Sequence, residues 1–329
     1  MRSLILALAV AACGSSDKPA APAPRDAAPL VVDQSVPVAK GDQYTPDQRA
    51  IHLDEPKLDL PKQELFKLLD AGTGARAPLT YSYANGTSAI AIETKLSSRH
   101  LDNGTWSPKL DMPPIRDGFA LVSEGTKLVL RGLPGAITGA STKEAEQYLQ
   151  FWKALLQDRR ASVDVDVRGQ LGKISFLDDP TNKRSEPSRN ELANRLLVTI
   201  VPVPAEPIGT GASWKVVTVL RQNQVSVKQT ATYTLVERTP ARWTIGIKIQ
   251  RIGHEQSIAD PSLPKGATAE LVALLRDYTG TVEVDPTRAM IAKGALSIES
   301  RFHIKITTPG QPPVEHMVED TGTVAITTP

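Results

Sequence analysis

This chain of 329 residues is short of most features that name an activity. It has one cysteine, so it can form neither a disulfide framework nor a cysteine-based zinc cluster. Aromatic residues make up only 5%, too few for a carbohydrate-binding or single-strand stacking platform. Lys+Arg number 38 against Asp+Glu 36, a net charge of +2, which leaves no field suited to nucleic acid as a main partner. No apolar run approaches the roughly 20 residues of a spanning helix. The five histidines, His52, His100, His254, His303 and His316, fall at no metal-binding spacing, and His254-Glu255 lacks the second histidine of a zincin. There is no G-x-S-x-G elbow. Gly209-Thr210-Gly211 leads into a strand pattern, so it reads as a turn and not a phosphate cradle. These absences argue against an enzyme, a metal and a cofactor without closing the possibility of a hydrolase assembled from distant residues.

What is present begins with delivery. Met1-Arg2-Ser3, the apolar residues 4–12 and the small residues around Cys13 have the layout of a secretory signal. Val10-Ala11-Ala12-Cys13 resembles a bacterial lipobox. That resemblance implies cleavage of residues 1–12 and a lipid on the Cys13 thiol, anchoring the chain at the membrane. Gly14, in place of the aspartate that favours inner-membrane retention, points to the outer membrane of the cell envelope. Residues 13–60 are rich in Ala, Pro, Ser and Asp, with prolines at 19, 22, 24, 29, 37, 46 and 56 and no hydrophobic period. They read as a lipid-attached disordered tether.

Residues 61–329 have the alternation of a β-rich globular domain. Pro61, Leu65, Leu68 and Leu69, with Gly72 as a stop, suggest a short helix. Leu79, Tyr81 and Tyr83 suggest a strand returning through Asn85-Gly86 as a hairpin, continued by Ile90, Ile92 and Leu96. Leu128 and Leu130 mark another strand. Ser141-Thr142-Lys143-Glu144 reads as a capping box, followed by Tyr148, Phe151, Trp152 and Leu155 at helical spacing. Ser188-Arg189-Asn190-Glu191 is a second one, followed by Leu192, Leu196 and Leu197. Trp214, Val216 and Leu220, then Val225 to Leu235, then Trp243, Ile245, Ile247 and Ile249, predict half-buried antiparallel strands. Leu296, Ile298, Phe302, Ile304 and Ile306 share one face and place His303 on the wet one. A closing strand spans about 314–327.

Leu155-Leu156-Gln157-Asp158-Arg159-Arg160-Ala161-Ser162-Val163-Asp164-Val165-Asp166 matches Leu274-Leu275-Arg276-Asp277-Tyr278-Thr279-Gly280-Thr281-Val282-Glu283-Val284-Asp285 at six of twelve positions. The match suggests a duplicated β–β–helix–β–β unit, about 75–180 and 208–307. The fold expected is mainly β (α+β), a curved antiparallel sheet or open barrel with a few packing helices. The carboxylates Asp164, Asp166, Glu283 and Asp285 could in principle hold Ca²⁺ or act in hydrolysis. A polar outer strand face is the simpler reading, since no Gly-rich loop accompanies them.

Pro207-Ile208-Gly209-Thr210-Gly211-Ala212-Ser213-Trp214-Lys215-Val216, Tyr233-Thr234-Leu235 and Gly280-Thr281-Val282-Glu283-Val284-Asp285 together resemble uncharacterised, secreted, β-rich bacterial lipoproteins grouped as a domain of unknown function. The likeness spans residues 75–307 and implies export and a β architecture but no activity. The expectation is therefore a membrane-anchored binding module for a lipid or other apolar ligand, with Tyr148, Trp152, Trp243 and Ile247 as candidate cavity residues. The alternatives are an envelope scaffold that holds protein partners and a secreted hydrolase.

Overall fold

Alternating apolar and polar residues decide most of the chain. A computed structural model describes residues 65–328 apart from 103–104, 179–185, 223–224, 259–262 and 289. The signal peptide, Cys13 and the tether lie outside the described residues. The elements begin with β1 (Leu65–Asp70), β2 (Thr73–Ala77), β3 (Gly86–Asp102), β4 (Thr105–Trp106), β5 (Leu110–Asp111), β6 (Ile115–Glu124), β7 (Lys127–Gly132) and β8 (Ala136–Ile137). Helix α1 (Lys143–Leu155), β9 (Arg160–Val165), β10 (Leu171–Phe176) and helix α2 (Glu186–Thr199) follow. The remainder is all strand: β11 (Ile208–Thr210), β12 (Ser213–Gln222), β13 (Val225–Arg238), β14 (Trp243–Gly253), β15 (Gln256–Ile258), β16 (Thr268–Val284), β17 (Ile291–Thr307) and β18 (Val314–Thr327).

The protein is mainly β, as the alternation predicts. One antiparallel sheet runs in the order β1-β12-β13-β14-β16-β17-β18-β3-β6-β7-β9-β10, with β4, β5, β8 and β15 at its margins. The last strand, β18, inserts beside β3, so early and late parts of the chain share one sheet. It does not close, since β1 and β10 are its two ends. β16 and β17 have 17 residues each, far longer than the usual five or six, and strands of that length must coil. The curvature is visible in the helix it encloses, because α2 touches β12 near one end and β10 at the other. Ile90, Leu130, Trp214, Ile245 and Leu296, drawn from the whole width of the sheet, join the helices' Trp152 and Leu196 in one buried cluster.

Each helix is held by its apolar stripe. α1 starts where Thr142 Oγ1 accepts from the Ala145 backbone N–H at 3.3 Å, so the cap is Thr142 and not the expected Ser141, which bonds Glu146 instead. Trp152 is fully buried against Phe119, at 5.5 Å between ring centroids, and donates from Nε1 to the Leu133 carbonyl at 2.7 Å. α2 begins at Glu186, ahead of the Ser188 expected as its cap. Its Leu192 and Leu196 are buried in the main core, and Leu197 packs on a second cluster around Leu220, Val227 and Leu271.

Four expectations are corrected. Residues 65–70 form β1 and not a helix, because the free edge of β12 accepts them. The period is then two, with Phe66 and Leu68 packed on the core and Leu65 and Leu69 exposed. Leu79 to Tyr83 is not the first arm of a hairpin, because β3 already pairs with β6 and β18. The segment instead bridges two loops, with Tyr81 N–H donating to Val167 and Ser82 N–H to Pro286. His303 is buried, in one outer-face row with Ala273 and Met317 that is covered throughout, and it lies 3.3 Å from Glu315.

The fourth concerns the repeat. Leu155 ends α1, whereas Leu274 to Asp277 lie inside β16, and among the described residues no helix lies between α2 and that run. The β–β–helix–β–β pattern therefore does not recur. What the two runs share is the inward alternation of Val163 and Val165, and of Val282 and Val284, all buried, which any half-buried strand requires. The carboxylates between them have separate duties. Asp166 Oδ1 accepts from the backbone N–H of Arg168 and Gln170, both at 2.9 Å. Glu283 pairs with Arg242, and Asp285 accepts from the Thr287 N–H at 2.9 Å.

Candidate functional site beneath the second helix

The inner face of the curved sheet is not filled everywhere. A cavity of about 350 Å³ lies between α1 and α2 and the inner faces of β3, β14, β16, β17 and β18. Ile92, Leu96, Phe151, Val198, Ile298, Val324 and Ile326 supply its apolar lining.

Register places a polar row across this otherwise apolar surface. Gln229, Arg251, Arg276, Ser300, Asp320 and Ser98 stand directly opposite one another on β13, β14, β16, β17, β18 and β3. The next inner row on one side is Ala231, Ile249, Tyr278, Ile298, Gly322 and Leu96. On the other side stand Leu274, Phe302, Val318 and His100. The Arg251 side chain is only 3% exposed. Its Nε donates to Gln229 Oε1 at 2.9 Å and its Nη2 to the Asn194 carbonyl on α2 at 3.2 Å. Its guanidinium lies 5.3 Å from the Tyr278 ring centre. Arg276 Nε donates to Ser300 Oγ at 3.2 Å. Asp320 is 4% exposed, and its Oδ1 has no hydrogen-bond partner.

The row is electropositive inside. Burial pulls Arg251 below the ordinary arginine range and pushes Asp320 above the usual carboxylate range, against the pull of Arg276. Burial also opposes ionisation of Tyr278, yet Arg251 and Arg276 outweigh it and lower that phenol.

The second charged group at the cavity is a closed knot. Arg195 of α2 donates from Nη1 to both Asp117 oxygens, at 2.9 and 3.2 Å, and from Nε to Glu191 at 3.0 Å. Its Nη2 meets the Tyr148 hydroxyl, which itself donates to Asp117 Oδ2 at 2.6 Å. Burial works against the Arg195 charge, but Asp117, Tyr148 and Glu191 outweigh it and raise its pKa. Burial is also the main cause holding the Tyr148 proton on. α1, α2 and β6 are joined through this one guanidinium.

Of the four candidate cavity residues, Tyr148 lines the space. Trp152, Trp243 and Ile247 do not; all three belong to the packed core. Their alternation and helical spacing mark burial, and burial is what they provide. The residues that give the cavity its chemistry, Asp117, Arg195, Arg251, Arg276 and Asp320, were missed. A signal existed for three of them: a charge in phase with an apolar strand face. Arg251 continues the parity of Trp243 to Ile249, Arg276 that of Leu274 and Tyr278, and Asp117 that of Ile115 and Phe119.

The fold and site together define a β-rich protein whose open, curved sheet and two helices line a largely apolar cavity crossed by a polar row that holds two arginines. No protein-family model matches the chain, and no curated protein matches it.

Asp320 gives a pH test of this arrangement. Its pKa is raised in the folded protein, so the fold favours the neutral acid. The penalty is absent below the unfolded carboxyl range, about pH 4, and grows as pH rises through the folded value. Asp320→Asn is therefore expected to raise the melting temperature at neutral pH and leave it unchanged near pH 3. Thermal melts at both pH values check this, and a neutral-pH melting temperature equal to or below that of the parent contradicts it.

Proposed function

We propose that the folded domain is a non-enzymatic binding module that takes an apolar ligand, such as a lipid chain, into the cavity beneath α2. In this reading Cys13 carries the lipid that tethers the module to the bacterial envelope, at the outer membrane. The observation that carries the binding reading is the cavity itself. Its 350 Å³ lies within the roughly 300–1,000 Å³ of small-molecule sites, and its lining is aliphatic and aromatic with a few placed polar groups. The polar groups of the Arg195 knot support binding over catalysis, because each is committed to a partner within the fold. The anchor reading rests on the Val10-Ala11-Ala12-Cys13 pattern and its fit to membrane attachment by a lipidated thiol.

Native mass spectrometry of the full chain, purified from its own host before and after organic extraction, tests the module. The expected result is a non-covalent lipid mass that extraction removes, while the covalent mass on Cys13 stays. A chain with no extractable mass, co-purifying instead with an envelope protein, would favour the scaffold reading. In the same preparation Cys13→Ala is expected to move the protein to the soluble fraction; continued tight membrane association defeats the anchor.

A further inference from the structure

Two cations at the cavity, Arg251 buried and Arg276 half-buried, lack a paired counter-charge. A charge removed from water is costly unless a counter-charge and hydrogen bonds replace the lost hydration. Arg195 has both, from Asp117 and Glu191. Arg251 and Arg276 stand opposite each other on adjacent strands, where like charges repel. Among the described residues, neither has a carboxylate within ion-pair distance; Arg251 bonds Gln229 and the Asn194 carbonyl, and Arg276 bonds Ser300 and the Tyr278 hydroxyl. Glu191, the nearest acidic residue on α2, is held by Arg195. Asp320 stands two strands from Arg276 in the same row, and its Oδ1 is buried without a partner at the cavity wall.

Resting on the reading that the cavity takes an apolar chain, we infer that its ligand is an anionic amphiphile. Its carboxylate or phosphate head meets Arg251 and Arg276, and its chain runs over Ile298, Leu96, Val324 and Ile326. The segregation of the lining supports that orientation. The polar row crosses the sheet at Ser98 and Asp320, and the aliphatic lining extends from Leu96 to Ile92 along β3 and from Val324 to Ile326 along β18. Six residues separate Ser98 from Ile92, roughly 20 Å of extended strand, a span comparable to a long acyl chain. The head would supply the counter-charge that the two arginines lack, with charge-assisted bonds about twice as strong as neutral ones. Asp320 in its protonated form can donate its hydroxyl proton to the same anion, whereas a second fixed carboxylate would repel it. A neutral lipid of the same length would fill the apolar part and leave the arginines as they are.

The test compares two probes on the full-length protein: cis-parinaric acid, followed by its fluorescence, and its methyl ester. The acid is expected to bind about tenfold or more tightly than the ester, the range of one to two hydrogen bonds to a charged group. In Arg276→Gln and Arg251→Gln the acid should fall to the affinity of the ester, while ester binding stays within about twofold. Equal binding of acid and ester to the unaltered protein overturns the anionic head and leaves the apolar cavity standing. Binding of neither probe overturns the cavity reading itself. The unaltered-protein comparison needs no variant, so misfolding of either glutamine variant, checked by circular dichroism, does not blunt it. Displacement of the bound acid by palmitate, and by lysophosphatidic acid against a monoacylglycerol, separates a free fatty acid from a phospholipid head.

Discussion

Replacing Arg195 with methionine is expected to destabilise the domain by about 3–5 kcal/mol, the range for removing one partner of a buried ion pair. The Asp117 side chain is only 1% exposed and that of Arg195 14%. Methionine keeps most of the apolar stem and its contact with Trp152, over which the guanidinium now sits at 5.1 Å. What it removes is the counter-charge, leaving the Asp117 carboxylate among apolar neighbours with only the Tyr148 hydroxyl. For a domain of this size the loss corresponds to a melting-temperature drop on the order of 10 °C. The mechanism is separable from packing: Asp117→Asn added to Arg195→Met should recover most of the loss, because the orphaned charge is its source. Arg301→Met is the control. Arg301 also pairs with a glutamate, Glu319 at 3.0 Å, but is 55% exposed, and such pairs contribute little. A double variant no more stable than Arg195→Met would show that Asp117 is not the cause.

That contrast between Arg195 and Arg301 also explains which parts of the protein were legible in the sequence. Strands β12, β13, β14, β17 and β18 follow from period-two alternation, since one face of each must be buried, whereas the first half of β16, expected as a helix, is strand because β14 and β17 flank it on both sides. Trp214, Ile245 and Leu296 are buried as that pattern requires. Residues 65–70 failed for a physical reason. Three leucines fit either period, and the deciding factor, a vacant edge on β12, lies almost 150 residues away. Tyr81 and Tyr83 failed similarly, because alternation shows which side chains go inward and not which backbone accepts their hydrogen bonds. The site was the least legible part. Arg251, Arg276, Ser300 and Asp320 each look like an ordinary interruption of one strand. Only the register of five neighbouring pairings turns them into a row.

Curvature adds a last consequence, and it falls on glycines facing the inside of the sheet. Gly322 of β18 lies opposite Leu96 of β3. A Cβ at 322 would sit 1.9 Å from the Lys95 carbonyl oxygen and 3.0 Å from Leu96 Cα, both backbone atoms. Gly280 of β16 has the same problem against β17, at 2.1 Å from the Ala295 oxygen. Side chains can turn away from an intruding methyl, but a paired backbone cannot without breaking ladder hydrogen bonds. Glycines in strands commonly mark tight bends of this kind. Gly322→Ala is therefore expected to lie at the severe end of overpacking, about 3 kcal/mol or more, measured by denaturant unfolding. Gly86→Ala is the matched comparison. It begins β3, where no atom lies within 4 Å of a Cβ, so alanine there should be neutral or stabilising by up to about 1 kcal/mol. If the two alanines cost the same, the close approach of β18 to β3 is wrong. The curvature that brings Asp320 and Ser98 to the cavity would then need another origin.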